Sequence, residues 1–315
     1  MGYNANFPHG LMFHRFCRLK SQKSGISTLN KSNFEKIINF VGRDRILNPN
    51  EWIQKIKNRK LENHHLCITF DDGLKSQIDV ALPILNKFKI KAFWFLHSRI
   101  FFNNYDKNEI FSILILKKFK KLENFANKFI NFCKLNSNFF KTKGFNDYFK
   151  KESKLYKFYS NSEHKYRYLR NVCFSKRKFE FLMENFCITY NLNINKFSKN
   201  IWMNKKNIIN LSKSGHMIGM HSFSHPFKMS NLSKPEQEIE YKKNYSCIKS
   251  ISKKKIVSMS HPLNSYNRTT LKILRKMGII CGFRANSQID DIKKINPSYL
   301  ELAREDSANL LQEIK

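Results

Sequence analysis

The chain has 315 residues and carries 58 Lys and Arg against 24 Asp and Glu, a formal charge of +34. That length is enough for one large α/β domain, or two smaller ones, with a sizeable core. The basic residues are spread among many Asn, Ile and Phe and are not gathered in one arm, so no specific nucleic-acid site is expected, only a general attraction for anionic partners, lipid phosphates included. The seven cysteines form no CxxC pair and several sit in apolar stretches, which favours a reducing compartment. Pro8, His9 and Arg15 interrupt what a signal peptide would need, and apolar runs such as Ile113 to Leu116 are too short to span a bilayer. The expectation is a cytoplasmic protein, with peripheral contact to an anionic membrane surface allowed.

In chain order, Gly10 to Phe16 reads as a first strand and Arg18 to Thr28 as a loop. Ser32 followed by Glu35 has capping-box spacing, with Phe34, Ile37, Ile38 and Val41 on one helical face and Gly42 as the stop. A second helix begins near Asn50 and runs through Trp52, Ile53 and Ile56. Leu66, Ile68 and Phe70 then alternate as a buried strand would, and the strand ends in Asp71, Asp72 and Gly73. Adjacent side chains leaving a strand point in different directions, so the two acids can divide the roles of proton acceptor and metal ligand. A helix N-cap with a turn glycine is the plainer alternative. Ile78, Ala81, Leu82, Leu85 and Phe88 have helical spacing and Ile90 to Leu96 reads as a strand. That βαβ unit predicts parallel strands with functional groups at their C-terminal ends, where Asp71, Asp72 and His97 lie.

From Phe101 to Lys199 glycine almost vanishes and patches such as Phe125, Phe129 and Phe132 predict amphipathic helices whose aromatic stripe is core. A strand near Gly215 to Met220 then ends in His221 and His225, with Pro226 behind them. Two imidazoles at that spacing plus one carboxylate would make an open three-ligand site for zinc or a similar ion, although an HxxxH alone also fits exposed histidines. A helix over 234–250 follows, with Pro235 in its first turn and Ile239, Tyr245 and Ile248 as its buried side. Ile256 to Ser260 is a strand, Arg268 to Lys276 a helix, Ile279 to Phe283 a strand, and Leu302 to Asp306 the last recognisable piece.

Thr69-Phe70-Asp71-Asp72-Gly73 and His221-Ser222-Phe223-Ser224-His225-Pro226, each ending a predicted strand, resemble the first two motifs of the polysaccharide deacetylases, the NodB-homology or carbohydrate esterase family 4 group. The resemblance covers about residues 64–100 and 205–310 and leaves the central insertion outside it. It implies an α/β fold, a deformed (β/α) barrel of about seven strands. The barrel would be formed by 1–100 and 201–315, with a mostly helical insertion over 101–200. It implies a divalent metal, expected to be Zn2+, and hydrolysis of an N-acyl group, acetyl or formyl, from an amino sugar or glycan precursor, nucleotide- or lipid-linked forms included. By motif it assigns Asp72, His221 and His225 as metal ligands and Asp71 as the base towards a metal-activated water. The backbone N–H of Leu263 becomes the oxyanion donor, and Ser222 fixes the ligand loop.

Two departures stand out. Ser260-His261-Pro262-Leu263-Asn264 occupies the place where many members have Arg-Pro-Pro-Tyr-Gly, so the arginine that orients the base is missing there. Arg304 is the candidate replacement, with a surface pair to Glu305 or Asp306 as the alternative. No Leu-x-His motif supplies a general acid, and His14, His97 and His261, all near strand ends, fit structural or exposed roles at least as well. A catalytically weak or inactive glycan-binding protein of the same fold is therefore the alternative expectation.

Overall fold

The structure, a computed structural model, describes residues 3–4, 6–17, 28–102, 107–119, 121–136, 144–155, 159–198, 200–285 and 295–314. Most of the loop predicted after Arg18 lies outside the described residues. The chain divides into two compact units, Met1–Tyr105 with Asn200–Lys315, and Asp106–Lys199.

The first unit starts with β1 (His9–Phe13), and the strand is interrupted at His14. The rest of the predicted first strand, β2 (Arg15–Phe16), pairs instead with β3 (Thr28–Leu29) in a separate small parallel sheet. Helix α1 (Lys31–Val41) buries Phe34, Ile37, Ile38 and Val41 as its periodicity requires. Its cap is Asn30, whose side chain accepts from the Asn33 N–H, so the predicted Ser32–Glu35 box falls inside the first turn. Asparagine caps as well as serine does and here lies two residues earlier. Helix α2 (Pro49–Lys57) precedes β4 (Leu66–Phe70). The helix predicted from Ile78 begins as a π turn over Gln77–Ala81 before α3 (Leu82–Lys87) leads to β5 (Phe93–Leu96).

The second unit holds α4 (Lys107–Lys118), α5 (Leu122–Asn136), α6 (Phe145–Leu155), α7 (Asn161–Tyr168), α8 (Lys176–Thr189) and the short α9 (Asn195–Ser198), and the stripe of Phe125, Phe129 and Phe132 on α5 is buried. Phe129 meets Tyr166, Phe179 and Phe186 edge-on with ring centroids 5.8, 5.8 and 5.6 Å apart. These rings are core, each such pair adding roughly 1 kcal/mol beyond burial.

The first unit resumes with α10 (Lys205–Lys213), β6 (Met217–Met220), α11 (Lys234–Ser252), β7 (Ser258–Ser260), α12 (Arg268–Lys276), β8 (Cys281–Phe283), β9 (Arg304–Asp306) and α13 (Ser307–Glu313). Among the described residues one sheet of seven strands has the order β8-β7-β6-β5-β4-β1-β9, parallel throughout. A parallel bridge from Phe283 to Leu302, the residue leading into β9, brings the two edges together, so the sheet is a nearly closed barrel with helices around it. This is the deformed (β/α) barrel expected from the motifs.

Alternation decides what faces the lumen. Leu11, Phe13, Ile68, Phe70, Trp94, Leu96, Ile218, Met220 and Met259 belong to the core under the helices, while Cys67, Phe93, Phe95, Cys281 and Phe283 belong to the core inside the barrel. Gly10 faces inward too, and a Cβ there would come within 3.0 Å of Arg304 Cγ and 3.1 Å of Thr69 Cγ2. Following the inward parity to the C-terminal ends places His14 after β1, Asp71 after β4, His97 after β5, His221 after β6 and Ser260 at the end of β7.

Candidate active site

Asp71 is 2% exposed at the mouth of the barrel. The Arg304 guanidinium grips it with both arms, Nη1 donating to Oδ1 and Nη2 to Oδ2, each at 2.8 Å. The remaining Arg304 donors go to the Arg284 carbonyl at 2.8 Å and Thr69 Oγ1 at 3.3 Å, so the guanidinium is fixed in one pose. Burial by itself would push the Asp71 carboxyl up, but the charges of Arg304 and His221 hold it down at about 2. Ser260, in the place of the missing motif arginine, donates to Asp71 Oδ1 at 3.1 Å. Gln77 ties the site's two edges by donating to the carbonyls of His14 and Asp71 at 2.8 and 2.7 Å.

Asp72 leaves the strand at φ 73°, turning its carboxylate away from its neighbour's and towards two imidazoles. His221 Nε2 and His225 Nε2 lie 3.5 and 3.7 Å from the same oxygen, Asp72 Oδ1. One donor atom from each of Asp72, His221 and His225 lies within 4.8 Å of the others, the arrangement of a candidate metal centre. The tautomer sharpens this. His221 Nδ1 sits 3.0 Å from the Ser260 carbonyl, which can only accept, so Nδ1 carries the hydrogen. Its Nε2 then turns either a lone pair or an extra proton towards the carboxylate, and only a cation, proton or metal, satisfies atoms arranged in that way. Burial pushes His221 down, but Asp71 and Asp72 reverse that and raise it; Asp72 is held well below the usual carboxylate range, burial opposing, by His221 and His225. Two imidazoles and one carboxylate fit a zinc-type ion, and three protein donors match a catalytic rather than a structural site.

The backbone here is strained. Among the described non-glycine residues with positive φ, Asp72, Ser222 (62°), His225 (53°), Leu263 (49°) and Asn264 (56°) all lie in loops at strand ends. Each such conformation costs an L-residue roughly 1–2 kcal/mol and persists only where surroundings enforce it. The Ser222 hydroxyl accepts from the His225 N–H at 3.1 Å, closing the ligand loop as expected of it. Leu263 forms a short turn after Pro262 with its side chain 46% exposed.

The remaining histidines separate clearly. His261 is buried, donates from Nε2 to the Leu300 carbonyl at 2.8 Å, stacks on Tyr266 and is pushed down to about 4 by burial. His97 is buried with its ring 5.8 Å from that of His225. His14 alone of the three candidates is open to solvent, 29% exposed, and its Nε2 lies 3.8 Å from Asp71 Oδ2. Its parity with Gly10 and Met12 is the signal that could have singled it out in the sequence.

A nearly closed parallel barrel with paired aspartates and histidines at its strand ends defines the site, a candidate metal triad at the mouth of the barrel. Residues 181–281 match the polysaccharide deacetylase family. A search of the curated proteins found no match. Solved structures agree with the fold. The Streptococcus pyogenes deacetylase PplD in complex with acetate is 16% identical with a TM-score of 0.57, covering 98% of both chains. IcaB from Ammonifex degensii is 13% identical with a TM-score of 0.57, over 99% of this chain and 100% of the other. A de-N-acetylase from Aggregatibacter actinomycetemcomitans is 12% identical with a TM-score of 0.51, over 98% and 99%. Over residues 181–281 the chain is similar to the polysaccharide deacetylases, and over nearly its whole length it shares the fold of these solved structures. The family match takes in His221 and His225 but stops short of Asp71 and Asp72, which the fold brings to them.

Proposed function

We propose that the protein removes an N-acetyl group from an amino sugar or glycan precursor with the help of a divalent ion, zinc by its donor set, held by Asp72, His221 and His225. The observation that carries this reading is the convergence of that triad beside a second aspartate whose Oδ2 is 3.9 Å from His221 Nε2. Acetyl is preferred to formyl because the solved neighbour from Streptococcus pyogenes is a deacetylase described with acetate. When bound, the ion would polarise the acyl carbonyl and acidify water.

The chain's own residues divide the rest. Asp71 is the base, and takes its proton at Oδ2, the oxygen that faces both His221 and His14. Arg304 and Ser260 position it, so the guanidinium missing from the third motif is supplied from β9, the neighbour of β1. The Leu263 N–H is the oxyanion donor. His14 replaces the missing general acid: it is the partly exposed imidazole at the lumen mouth, within reach of Asp71, and gives its proton to the departing amine. The chain's overall basic charge favours an anionic, nucleotide- or lipid-linked substrate.

Acetate release from N-acetylated amino sugars, assayed with and without chelator and in Asp71→Asn, tests the reading. Activity should require the ion and should fall by about 10² or more in the variant, whose metal content stays at the wild-type level. Turnover that survives both treatments overturns it. Tight glycan binding without any turnover would favour the non-catalytic alternative.

A further inference from the structure

The buried side of α11 is polar where a helix packed on a barrel would ordinarily be apolar. Gln237, Tyr241, Asn244 and Ile248 face inward, whereas Ile239, expected there from its hydrophobicity, is 50% exposed. Two members of that face reach the loop that carries the metal-site histidines. Asn244 Oδ1 accepts from the His221 N–H at 3.1 Å while its Nδ2 donates to the Leu96 carbonyl at 2.9 Å, joining the exits of β6 and β5. One turn earlier, Glu240 takes three bonds at once. Its Oε2 accepts from the N–H groups of Phe223 and Ser224 at 3.0 and 2.8 Å, and its Oε1 from the Ser224 hydroxyl at 2.7 Å.

These bonds fall on the two residues that lie between Ser222 and His225, both of them left-handed. A loop with two such residues three positions apart needs an external template, because relaxation of either would swing one imidazole away from Asp72. We infer that Glu240 is that template: a positioning residue that holds the His221–His225 loop in its metal-receiving shape, with Asn244 anchoring the loop's first residue. The inference rests on the metal reading for its functional consequence, but the loop geometry itself does not. Glu240 touches neither the triad nor Asp71 through any bond described above, so its effect passes through the backbone.

The test compares Glu240→Ala with Glu240→Gln in the full chain. Gln keeps an oxygen for the two N–H groups and an amide that can donate to Ser224 Oγ, so it should rescue. Zinc affinity, measured by competition with a chromophoric chelator, should fall about 10- to 100-fold in Ala and stay within about threefold of wild type in Gln. In the metal-free protein, amide exchange at Phe223 and Ser224 should accelerate in Ala while amides of β4 and β6 keep their protection. Unchanged exchange at those two amides overturns the inference. So does an equal loss of zinc affinity in Ala and Gln, since the charge and not the loop's shape would then matter. A wild-type protein that binds no zinc would sink the metal reading while the exchange comparison still decides the role of Glu240.

Discussion

Two strands of the barrel carry a histidine at each end, and the two ends have opposite chemistry. At the start of β1, His9 donates from Nδ1 to the Phe7 carbonyl at 2.9 Å and accepts at Nε2 from the Tyr3 hydroxyl at 2.7 Å, and burial pushes it down to about 4. Just before β6, His216 accepts the Ala92 N–H at Nδ1, sits edge-on to Trp94 and is likewise pushed down to about 4 by burial. Past the other ends of those strands, His14 and His221 face Asp71 and Asp72. The residue type is the same and so is the strand. What differs is that the lower rings have backbone or tyrosine partners that suit a neutral imidazole, while the upper ones face carboxylates that call for a cation. In a parallel barrel a histidine is therefore read by which end of its strand it occupies.

The comparison predicts where substitution should hurt chemistry and where it should hurt folding. The largest effect belongs to His221→Ala. It should bring bound zinc from about one equivalent to near zero and acetate release down on the order of 10³-fold or more, as metal analysis and a turnover assay would register. Retention of the metal would break the assignment of the upper end. Next comes His14→Gln, for which kcat should fall about 10²-fold at unchanged zinc content and nearly unchanged KM. If kcat stays at the wild-type value, His14 is merely a solvent-facing neighbour of Asp71.

Much of this arrangement could be read from the sequence because it is local. The α12 helix coincides with its predicted Arg268 to Lys276, and β4 with its three alternating apolar residues, since periodicity is written into consecutive positions. The triad was legible for another reason: each half lies in one short motif. The Arg304–Asp71 clamp has no such local mark, because its partners come from β9 and from the end of β4, and only pairing of both strands with β1 brings them together. On α11 Ile248 is buried as expected and Tyr245 packs partly against the core, but Ile239 is exposed, because hydrophobicity does not reveal that Gln237 and Asn244 are buried with hydrogen-bond partners from neighbouring segments. His14 alternates with Gly10 and Met12, a pattern that becomes informative only once the lumen side of β1 is known.

At the lower end the expected effect is on stability and has a definite sign. His216 titrates near its ordinary 6.5 when unfolded but at about 4 when folded, so its contribution is complete above about pH 6.5 and is lost as pH falls towards 4. Between pH 7 and 5 that loss is about 2 kcal/mol. His216→Gln, which can still accept the Ala92 N–H, should flatten the fall in urea-unfolding free energy by about that much and leave acetate release near wild type. An unaltered pH slope would mean that His216 is not what separates the two ends.

The smallest effect tests whether the upper end works through backbone as well as side chains. Leu263 holds φ at 49° with its side chain in solvent, so its assigned contribution is an N–H and a shape. Leu263→Gly keeps the N–H and removes roughly 1 kcal/mol of left-handed strain, while the greater freedom of glycine in the unfolded chain costs about 0.5–1 kcal/mol. The two terms nearly cancel. Stability should therefore move by less than about 0.5 kcal/mol and turnover by less than about threefold. A loss of tenfold or more with unchanged stability would transfer the role from the Leu263 amide to its side chain, and would make that exposed leucine a contact for substrate at the mouth of the barrel.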